Sequence, residues 1–378
     1  MLAPNPVWRA RLFSVLAVIL LVLLSACGEG GGAGDAGGAQ ALANERYRWK
    51  LVTAWPPNLP VNHEGVAKFA KDVEDMSRGQ MTIQVFAAGE LVPALQVFDA
   101  VSQGTVEMGH AAAYYWAGKL PAAQFMTAVP FGMNARGMWA WLYGEKGLDI
   151  WRDLYAPFNL VPFPMGNTGT QMGGWFNKKI ESAADLTGLK MRIPGLGGKT
   201  LAKAGGNPVL LSGGEVYTAL ERGNIDATEW VGPLHDVRFG LDRAAKYYYY
   251  PGWHEPSTQL ELIVNKQKWE SLPGHLQAII DAAAVSAGVF IYSKMEVGNA
   301  EAYAKLKESG HVEVIEFPQD VLAALYENSK IALDEEAVGD EKFVSTREAY
   351  ETFRKNFDAW DDITEDAYRK FLNTQTAD

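Results

Sequence analysis

Four segments in the middle of the chain together contain one arginine, two glutamates, a glutamine and a tryptophan that could form one site. The segments are M-G-N-T-G-T-Q-M-G-G-W-F, K-M-R-I-P-G, D-A-T-E-W-V-G-P and G-W-H-E-P, which supply Gln171, Arg192, Glu229, Trp230 and Glu255. A guanidinium offers a planar fork of N–H donors that fits a carboxylate through two parallel hydrogen bonds. These segments therefore predict a binding site for a small carboxylate.

The two glutamates pose a problem for this prediction, because they would neutralise the arginine or repel an incoming anion. Hard cations prefer carboxylate, amide and carbonyl oxygens. A cation between the acids and the ligand would remove the conflict, and a 2-oxo or 2-hydroxy acid could chelate it through its carboxylate and its second oxygen. The residues alone leave two alternatives open. Arg192 could be an ordinary surface arginine or form an ion pair between lobes, and Trp230 could be a core residue beside a solvated Glu229.

No convincing catalytic motif accompanies these residues. The segment G-L-G-G-K-T at 195–200 is not a phosphate-binding loop, since Ile193 stands where the first glycine is required. His254-Glu255 has no second histidine at 257 or 258, and the six histidines are scattered. The chemistry therefore favours binding, and the alternative is a secreted hydrolase that uses Glu229 and Glu255 as an acid/base pair.

The composition is that of a folded, acidic protein. A chain of 378 residues with 48% hydrophobic and 21% charged residues predicts two globular domains or one large one. The net charge of -11 argues against a nucleic-acid partner, which would favour basic patches.

The N-terminus has the character of a processing signal. Arg9 and Arg11 precede a leucine-rich run at 12–24 that is short for a bilayer span, and L-S-A-C then ends at Cys27. This arrangement resembles a bacterial lipoprotein box, which implies cleavage before Cys27 and lipid attachment to its sulfur. An ordinary secretory signal or a short membrane anchor are the alternatives. Residues 28–43 are rich in glycine and alanine and predict a flexible tether.

Strand and helix patterns alternate along the body of the chain, which predicts an α/β fold with a largely parallel sheet. Strands are expected at 47–53, 81–86, 106–109, 160–165, 175–177, 190–193, 225–228, 259–264 and 312–316. Helices are expected at 63–76, 94–102, 135–154, 199–204, 215–222, 273–309, 318–336 and 341–372. The last helix carries many aromatic residues, which could pack against their own chain or against a second subunit.

The motifs M-R-I-P-G, E-W and G-W-H-E-P, together with the exported start, resemble the solute-binding subunits of TRAP (tripartite ATP-independent periplasmic) transporters. The resemblance runs from about residue 47 to the C-terminus and is greatest to the branch that binds 2-oxo acids or lactate with a metal ion. It implies a two-lobed periplasmic solute-binding (Venus-flytrap) fold with hinge strands and a long interlobe helix. It also implies a transport protein without catalytic activity, located in the periplasm.

The resemblance assigns roles to individual residues. Arg192 would pair with the ligand carboxylate, and Tyr115 would reach the ligand from the first lobe, with core packing as its alternative. Ligand contacts are expected from Gln171, Arg192, Trp230 and Tyr115, and ligands to a sodium or calcium ion from Glu229, the main-chain oxygen of Trp230, Glu255 and Gln171. Which of these side chains contact the metal and which contact the ligand stays open at this stage.

The resemblance also divides the chain. It implies a lipoprotein signal peptide at 1–27, a tether at 28–45, a first lobe at 46–168 plus 259–298, and a second lobe at 169–258 plus 299–340. Residues 341–378 would form a C-terminal helix exchanged between the subunits of a homodimer. The partners would be a small organic carboxylate and the TRAP membrane subunits. Family membership alone also allows dicarboxylates, sugar acids and ectoine as ligands.

Overall fold

A computed structural model describes residues 45–375. Eleven strands lie within this part of the chain: β1 Tyr47–Thr53, β2 Met81–Phe86, β3 Met108–Ala111, β4 Leu160–Asn167, β5 Gly174–Phe176, β6 Lys190–Arg192, β7 Asn207–Val209, β8 Ala227–Thr228, β9 Tyr247–Tyr250, β10 Gln259–Asn265 and β11 Glu313–Glu316. The predicted signal peptide, Cys27 and nearly all of the predicted tether lie outside the described residues.

The α-helices of the same part of the chain are α1 Asn62–Met76, α2 Val97–Ser102, α3 Ala135–Gly144, α4 Gly147–Tyr155, α5 Gly195–Lys203, α6 Gly213–Glu221, α7 Pro233–Phe239, α8 Leu241–Ala244, α9 Lys266–Glu270, α10 Gly274–Ser309, α11 Gln319–Glu336, α12 Glu341–Ile363 and α13 Glu365–Gln375. Five short 3-10 helices complete the set: Ala94–Gln96, Ala113–Trp116, Pro121–Met126, Ala156–Phe158 and Ala183–Leu186.

Two of the predicted helices are interrupted. The expected helix at 135–154 is α3 followed by α4, because Glu145 is extended and the backbone at Gly147 packs so closely on Trp141 that a Cβ would not fit. The expected helix at 341–372 is divided at Thr364, whose backbone leaves the helical region. Apolar periodicity continues across both breaks, so the sequence pattern could not reveal them.

The strands form two sheets, one in each lobe. The first lobe has the order β2-β1-β3-β10-β4, and the second has β11-β9-β5-β8-β6-β7. Five of the nine strand pairings are parallel and four are antiparallel. The prediction of a largely parallel sheet was therefore wrong. The antiparallel pairs arise where β10 and β5 run against their neighbours, as they do when a chain crosses between two lobes.

The long helix α10 connects the two lobes. It packs against β4 and α1 in the first lobe and against α7 in the second. By length and apolar composition α10 could cross a membrane, although no run of that kind was expected after residue 43. One face of it, including Ile280, Ala284, Ala287 and Ile291, is buried against the sheet, as in the core helix of a globular protein.

The aromatic residues of the C-terminal helices divide into two groups. Phe343 and Tyr350, in the first half of α12, are buried and pack on Phe125 of the first lobe, with ring centroids 4.9 and 5.5 Å away. Trp360, Tyr368 and Phe371 are each more than half exposed. The aromatic side chains of the first half therefore pack on their own chain. In the second half Arg136 contacts Asp361 and Glu365, but these three aromatic side chains stay largely exposed.

Candidate functional site

Arg192 is buried at the carboxyl end of β6, with 1% of its surface exposed. Its Nη1 forms an ion pair with Glu229, which follows β8, and also donates to the Glu229 main-chain oxygen at 3.2 Å. Its Nε donates to the Leu211 carbonyl at 3.2 Å. The guanidinium also lies over the Trp230 ring, 4.9 Å from the centroid. These contacts leave Nη2 without a hydrogen-bond partner.

Gln171 and Glu255 form the second part of the site. The Gln171 amide donates to a Glu255 carboxylate oxygen and to the Thr258 hydroxyl, both at 2.8 Å. The Thr258 hydroxyl donates to the same carboxylate oxygen. Burial, and secondly the charge of Glu229, raise the pKa of Glu255 to about 7. An acid of this kind gains from a nearby cation, because opposite charge favours the ionised form.

A small cavity of about 10 Å³ lies between the lobes beside these groups. Gln171, Arg192, Trp230 and Val231 line it from the second lobe, and Trp55, Asn62, Tyr114, Tyr115, Thr168, Thr258 and Leu260 complete the wall. Glu229 and Glu255 lie directly behind this wall, each hydrogen-bonded to a residue that forms it. All of the residues predicted for the site are therefore brought together.

Tyr115, a predicted ligand contact, lines this space from the first lobe. It follows β3, in the 3-10 helix Ala113–Trp116, and lines the cavity opposite Arg192. Burial raises the pKa of its hydroxyl, and the charge of Arg192 opposes that rise. Its ring also packs edge-on against Tyr114 at 4.9 Å, so core packing and a cleft position coexist.

Unsatisfied polar atoms concentrate around the cavity. Arg192 Nη2, Gln171 Oε1, Glu229 Oε2 and Asn62 Oδ1 are buried without a hydrogen-bond partner. Leaving a buried polar atom unpaired costs about 1–3 kcal/mol, so native proteins rarely tolerate several of them together. Arg192 Nη2 is a hydrogen-bond donor, and the other three atoms are acceptors. A free donor suits the negative end of a ligand, and free oxygens suit a positive ion bound to that ligand. The donor set therefore fits a cation held by oxygens and an anion held by the guanidinium.

His254 is one of six scattered histidines and is not among the predicted site residues, yet it lies beside Glu229 and Glu255. It is buried, its Nε2 is 3.4 Å from Glu229 Oε2, and neither ring nitrogen has a hydrogen-bond partner. Ligating atoms of Glu229, His254 and Glu255 all lie within 4.8 Å of one another. A lone histidine carries no periodic signal, so only its adjacency to Glu255 could have indicated this position.

Asn62 and Trp55 were not predicted either. Asparagine before a helix normally indicates an N-cap, but here the cap residue is Val61 and Asn62 is the first residue of α1. The Oδ1 of Asn62 accepts no hydrogen bond, and the side chain lines the cavity instead. The unexpected conformation of Val61, with a φ of 64°, explains why a sequence pattern could not place it.

Larger cavities lie elsewhere in the described residues. One of about 530 Å³ lies between α11 and α12, and another of about 410 Å³ lies behind the Gln171 loop. Both are open, and neither gathers buried polar atoms in the way the interlobe cavity does. Size alone is therefore a poor guide to the site in this protein.

Comparison with known proteins gives a consistent result. The family model for bacterial extracellular solute-binding proteins, family 7 (DctP), matches residues 51–338. The monocarboxylate 2-oxoacid-binding periplasmic protein of Nostoc sp. is 45% identical over 327 residues, which cover 86% of this chain and 89% of that protein.

Solved structures of TRAP solute-binding proteins are also similar over nearly their whole length. The protein from Colwellia psychrerythraea, with bound calcium and pyruvate, is 41% identical with a TM-score of 0.84, covering 86% of this chain and 99% of that one. The protein from Pseudoalteromonas atlantica, with sodium and pyruvate, is 40% identical with the same TM-score and coverage. A dimeric protein from Bordetella bronchiseptica, with calcium and picolinate, is 37% identical with a TM-score of 0.86, covering 88% and 99%.

Proposed function

Because this chain belongs to the DctP family of extracellular solute-binding proteins, we propose that it captures a small 2-oxo or 2-hydroxy monocarboxylate, such as pyruvate or lactate, for a TRAP transporter. The observation that carries the proposal is a group of three buried, unpartnered polar atoms at one small cavity. Arg192 Nη2 and Gln171 Oε1 belong to residues that line the cavity, and Glu229 Oε2 belongs to a residue directly behind its wall. Related proteins with pyruvate and either calcium or sodium support the same ligand class.

The cation would be held by oxygens of the second lobe. We assign Glu229, Glu255, Gln171 and the main-chain oxygen of Trp230 as its ligands. The amide nitrogen of Gln171 already donates to Glu255 and Thr258, so its oxygen is left for the cation. Calcium and sodium both accept such a set of oxygens. When bound, the ion would offset the negative charge of the two acids, which would otherwise repel an anionic ligand.

The carboxylate of the ligand would pair with Arg192, whose Nη1 is already taken by Glu229 and whose Nη2 remains available. Tyr115 and Asn62 would contact the ligand from the first lobe, and the Trp230 ring would form an apolar wall. The cavity is small, which favours a ligand with a short side chain on carbon two. Dicarboxylates and sugar acids are the alternative ligands within the same family.

A thermal-shift screen tests the ligand class. Binding to the folded state raises its unfolding temperature. We expect pyruvate and other short 2-oxo acids to give larger shifts than succinate or glucuronate, and we expect a chelator to abolish these shifts in sodium-free buffer. Equal shifts with and without the chelator, or a response to dicarboxylates alone, would contradict the proposal.

The proposed role is transport without catalysis. The rival is a secreted hydrolase that uses Glu229 and Glu255, but Glu229 forms an ion pair with Arg192 and Glu255 accepts from Gln171 and Thr258. We expect a chromogenic glycoside to be recovered unchanged after prolonged incubation with the protein. Release of the free sugar detected by NMR would favour the hydrolase.

We also propose an envelope location with a lipid on Cys27, which rests on the N-terminal motif alone. Mass spectrometry of the protein from membranes tests it: a diacylglyceryl adduct on a chain that begins at Cys27 is expected, and a soluble chain cut elsewhere would refute it.

A homodimer through the C-terminal helices is proposed from the exposed aromatic side chains of Trp360, Tyr368 and Phe371. Apolar side chains grouped in this way commonly mark an interface. Light scattering after gel filtration is expected to show a dimer that becomes a monomer in the triple serine variant. A monomeric native chain would contradict the assignment.

A further inference from the structure

His235 joins the second lobe to the first at the edge of the ligand cavity. It lies in the first turn of α7, is fully buried, and its Nε2 is 2.8 Å from the main-chain oxygen of Pro60. Pro60 belongs to the loop between β1 and α1 of the first lobe. A carbonyl oxygen can only accept, so Nε2 carries the proton and donates it across the cleft.

The loop that receives this hydrogen bond is strained. Pro60 O also accepts the N–H of Asn62 at 2.6 Å, and the residue between them, Val61, has φ 64° and ψ -53°. These values describe the positive-φ form of the γ-turn, which is rare and costly. Valine is β-branched and is seldom found with positive φ. A strained turn of this kind persists only when its surroundings hold it in place.

The same turn presents Asn62 to the cavity, where its Oδ1 is buried without a partner. The Pro60 carbonyl therefore accepts two hydrogen bonds, one from the main chain of Asn62 within the strained turn and one from His235 of the opposite lobe.

On the other side, His235 is fixed to the segment that carries Trp230. Its main-chain N–H donates to the Gly232 carbonyl at 3.1 Å. The neighbouring Asp236 accepts the N–H groups of Val231 and Gly232 at 3.3 and 3.2 Å, and its other oxygen accepts from Trp175 and Tyr248. The start of α7 is therefore rigidly connected to the wall of the ligand cavity.

Ligand cannot reach the cavity while both lobes enclose it, because the side chains that line it are almost entirely buried. The lobes must separate for binding and release, and separation breaks the bond between His235 and Pro60. In the open form both groups can bond to water. The bond therefore stabilises the closed form and not the separate lobes.

We propose that His235 is a latch across the cleft, a positioning residue whose hydrogen bond to Pro60 holds the lobes closed and fixes the strained Val61 turn so that Asn62 faces the ligand. This role rests on the proposed binding of a small carboxylate in the cleft. It assigns to His235 a function in retaining the ligand without contact with it.

The test compares His235→Leu with His235→Gln, in the full soluble chain with calcium, using pyruvate as the probe and tryptophan fluorescence in a stopped-flow instrument. Leucine removes the donor, whereas the glutamine amide can place an N–H near the position of Nε2. We expect His235→Leu to raise the pyruvate dissociation rate about tenfold, since a buried acceptor loses its donor in the closed form alone. The association rate should change by less than about twofold, because mutations within one interface act chiefly on dissociation.

Three controls separate a latch from a purely structural residue. The ligand-free His235→Leu protein should unfold at the wild-type temperature, and His235→Gln should recover most of the wild-type dissociation rate. In a Val61→Gly background, where positive φ is not strained, His235→Leu should have a smaller effect on dissociation.

Unchanged dissociation in His235→Leu would overturn the latch, as would an equal loss of stability in the ligand-free and ligand-bound proteins. A glutamine variant as defective as leucine would do the same. If the wild-type protein binds no pyruvate with calcium or sodium, the proposed ligand class fails instead, so the two failures are distinguishable.

Discussion

Two sites in this protein contain buried glutamates, but they differ in how completely their polar atoms are hydrogen-bonded within the protein. Glu261, in β10 of the first lobe, accepts from the Trp116 indole at 2.6 Å and from the Tyr155 hydroxyl at 2.8 Å. Glu229 and Glu255 in the cleft are surrounded by unpartnered atoms, including Glu229 Oε2 and Gln171 Oε1. The Glu261 site is complete within the protein, whereas the cleft site is completed by something bound.

The pKa of the acids does not separate these two sites. Burial raises the pKa of Glu261 to about 7, and burial with the charge of Glu229 raises the pKa of Glu255 to about 7. A raised pKa therefore reports desolvation in both places. What distinguishes the binding site is the number of buried polar atoms without a partner.

Replacing Arg192 by alanine should give the largest effect, because it disturbs both the ion pair and the ligand contact. Losing a charge-assisted hydrogen bond costs about 1.5–3 kcal/mol, a roughly tenfold to hundredfold loss of pyruvate affinity. The unpaired Glu229 should also lower the free energy of unfolding by about 3–5 kcal/mol. Calorimetry and urea unfolding would measure the two losses.

The matched control is Arg222→Ala, since Arg222 is exposed at the end of α6. We expect a change of less than about 0.5 kcal/mol in stability and no change in affinity. Wild-type affinity in Arg192→Ala would remove the assigned carboxylate contact.

Glu261→Gln should change stability and its pH dependence without changing binding. The unfolded chain loses the Glu261 proton near pH 4.5, whereas the folded chain keeps it until about pH 7. The unfolded state therefore binds fewer protons between these values, so this residue makes the protein less stable as pH rises from 4.5 to 7. Glutamine does not ionise, so Glu261→Gln removes this decrease in the free energy of unfolding, which amounts to about 3 kcal/mol above pH 7 as an upper estimate.

Urea unfolding at pH 5 and pH 8 measures this effect. We expect Glu261→Gln to gain stability relative to wild type at pH 8 and much less at pH 5. A loss of pyruvate binding in Glu261→Gln would erase the distinction between the two acidic sites, and so would unchanged binding in Glu255→Gln.

The sequence located the cleft but not everything that makes it work. Arg192 and Glu229 could be predicted because each lies at the end of a short strand pattern before a turn, and strand ends of this kind converge on clefts. Asn62, His254 and Thr258 could not, because single polar residues beside ordinary turns carry no periodicity. The strained Val61 turn depends on a contact from the other lobe, which no local pattern records.

Thr258→Val should disturb the protein less than Arg192→Ala, because Thr258 is bonded to two of the proposed metal ligands and its removal leaves no buried charge without its ion-pair partner. Its hydroxyl donates to Glu255 and accepts from Gln171 at 2.8 Å. Removing a partner of this kind typically weakens metal binding by about tenfold or more. Calcium titration by calorimetry would measure the change.

Thr127→Val is the matched control for this change, since the Thr127 hydroxyl is buried without a hydrogen-bond partner and does not line the cavity. We expect its calcium affinity to equal that of the wild type. Equal losses in both variants would show that the effect is one of core packing.

The central claim is that the cation and the carboxylate bind as one unit. Calorimetry in sodium-free buffer can measure pyruvate affinity with saturating calcium and after exhaustive chelation, and calcium affinity with and without pyruvate. Because linkage is reciprocal, each should strengthen the other by the same factor, which we expect to be about tenfold or more. Full pyruvate affinity in protein shown by elemental analysis to hold no metal would contradict the claim.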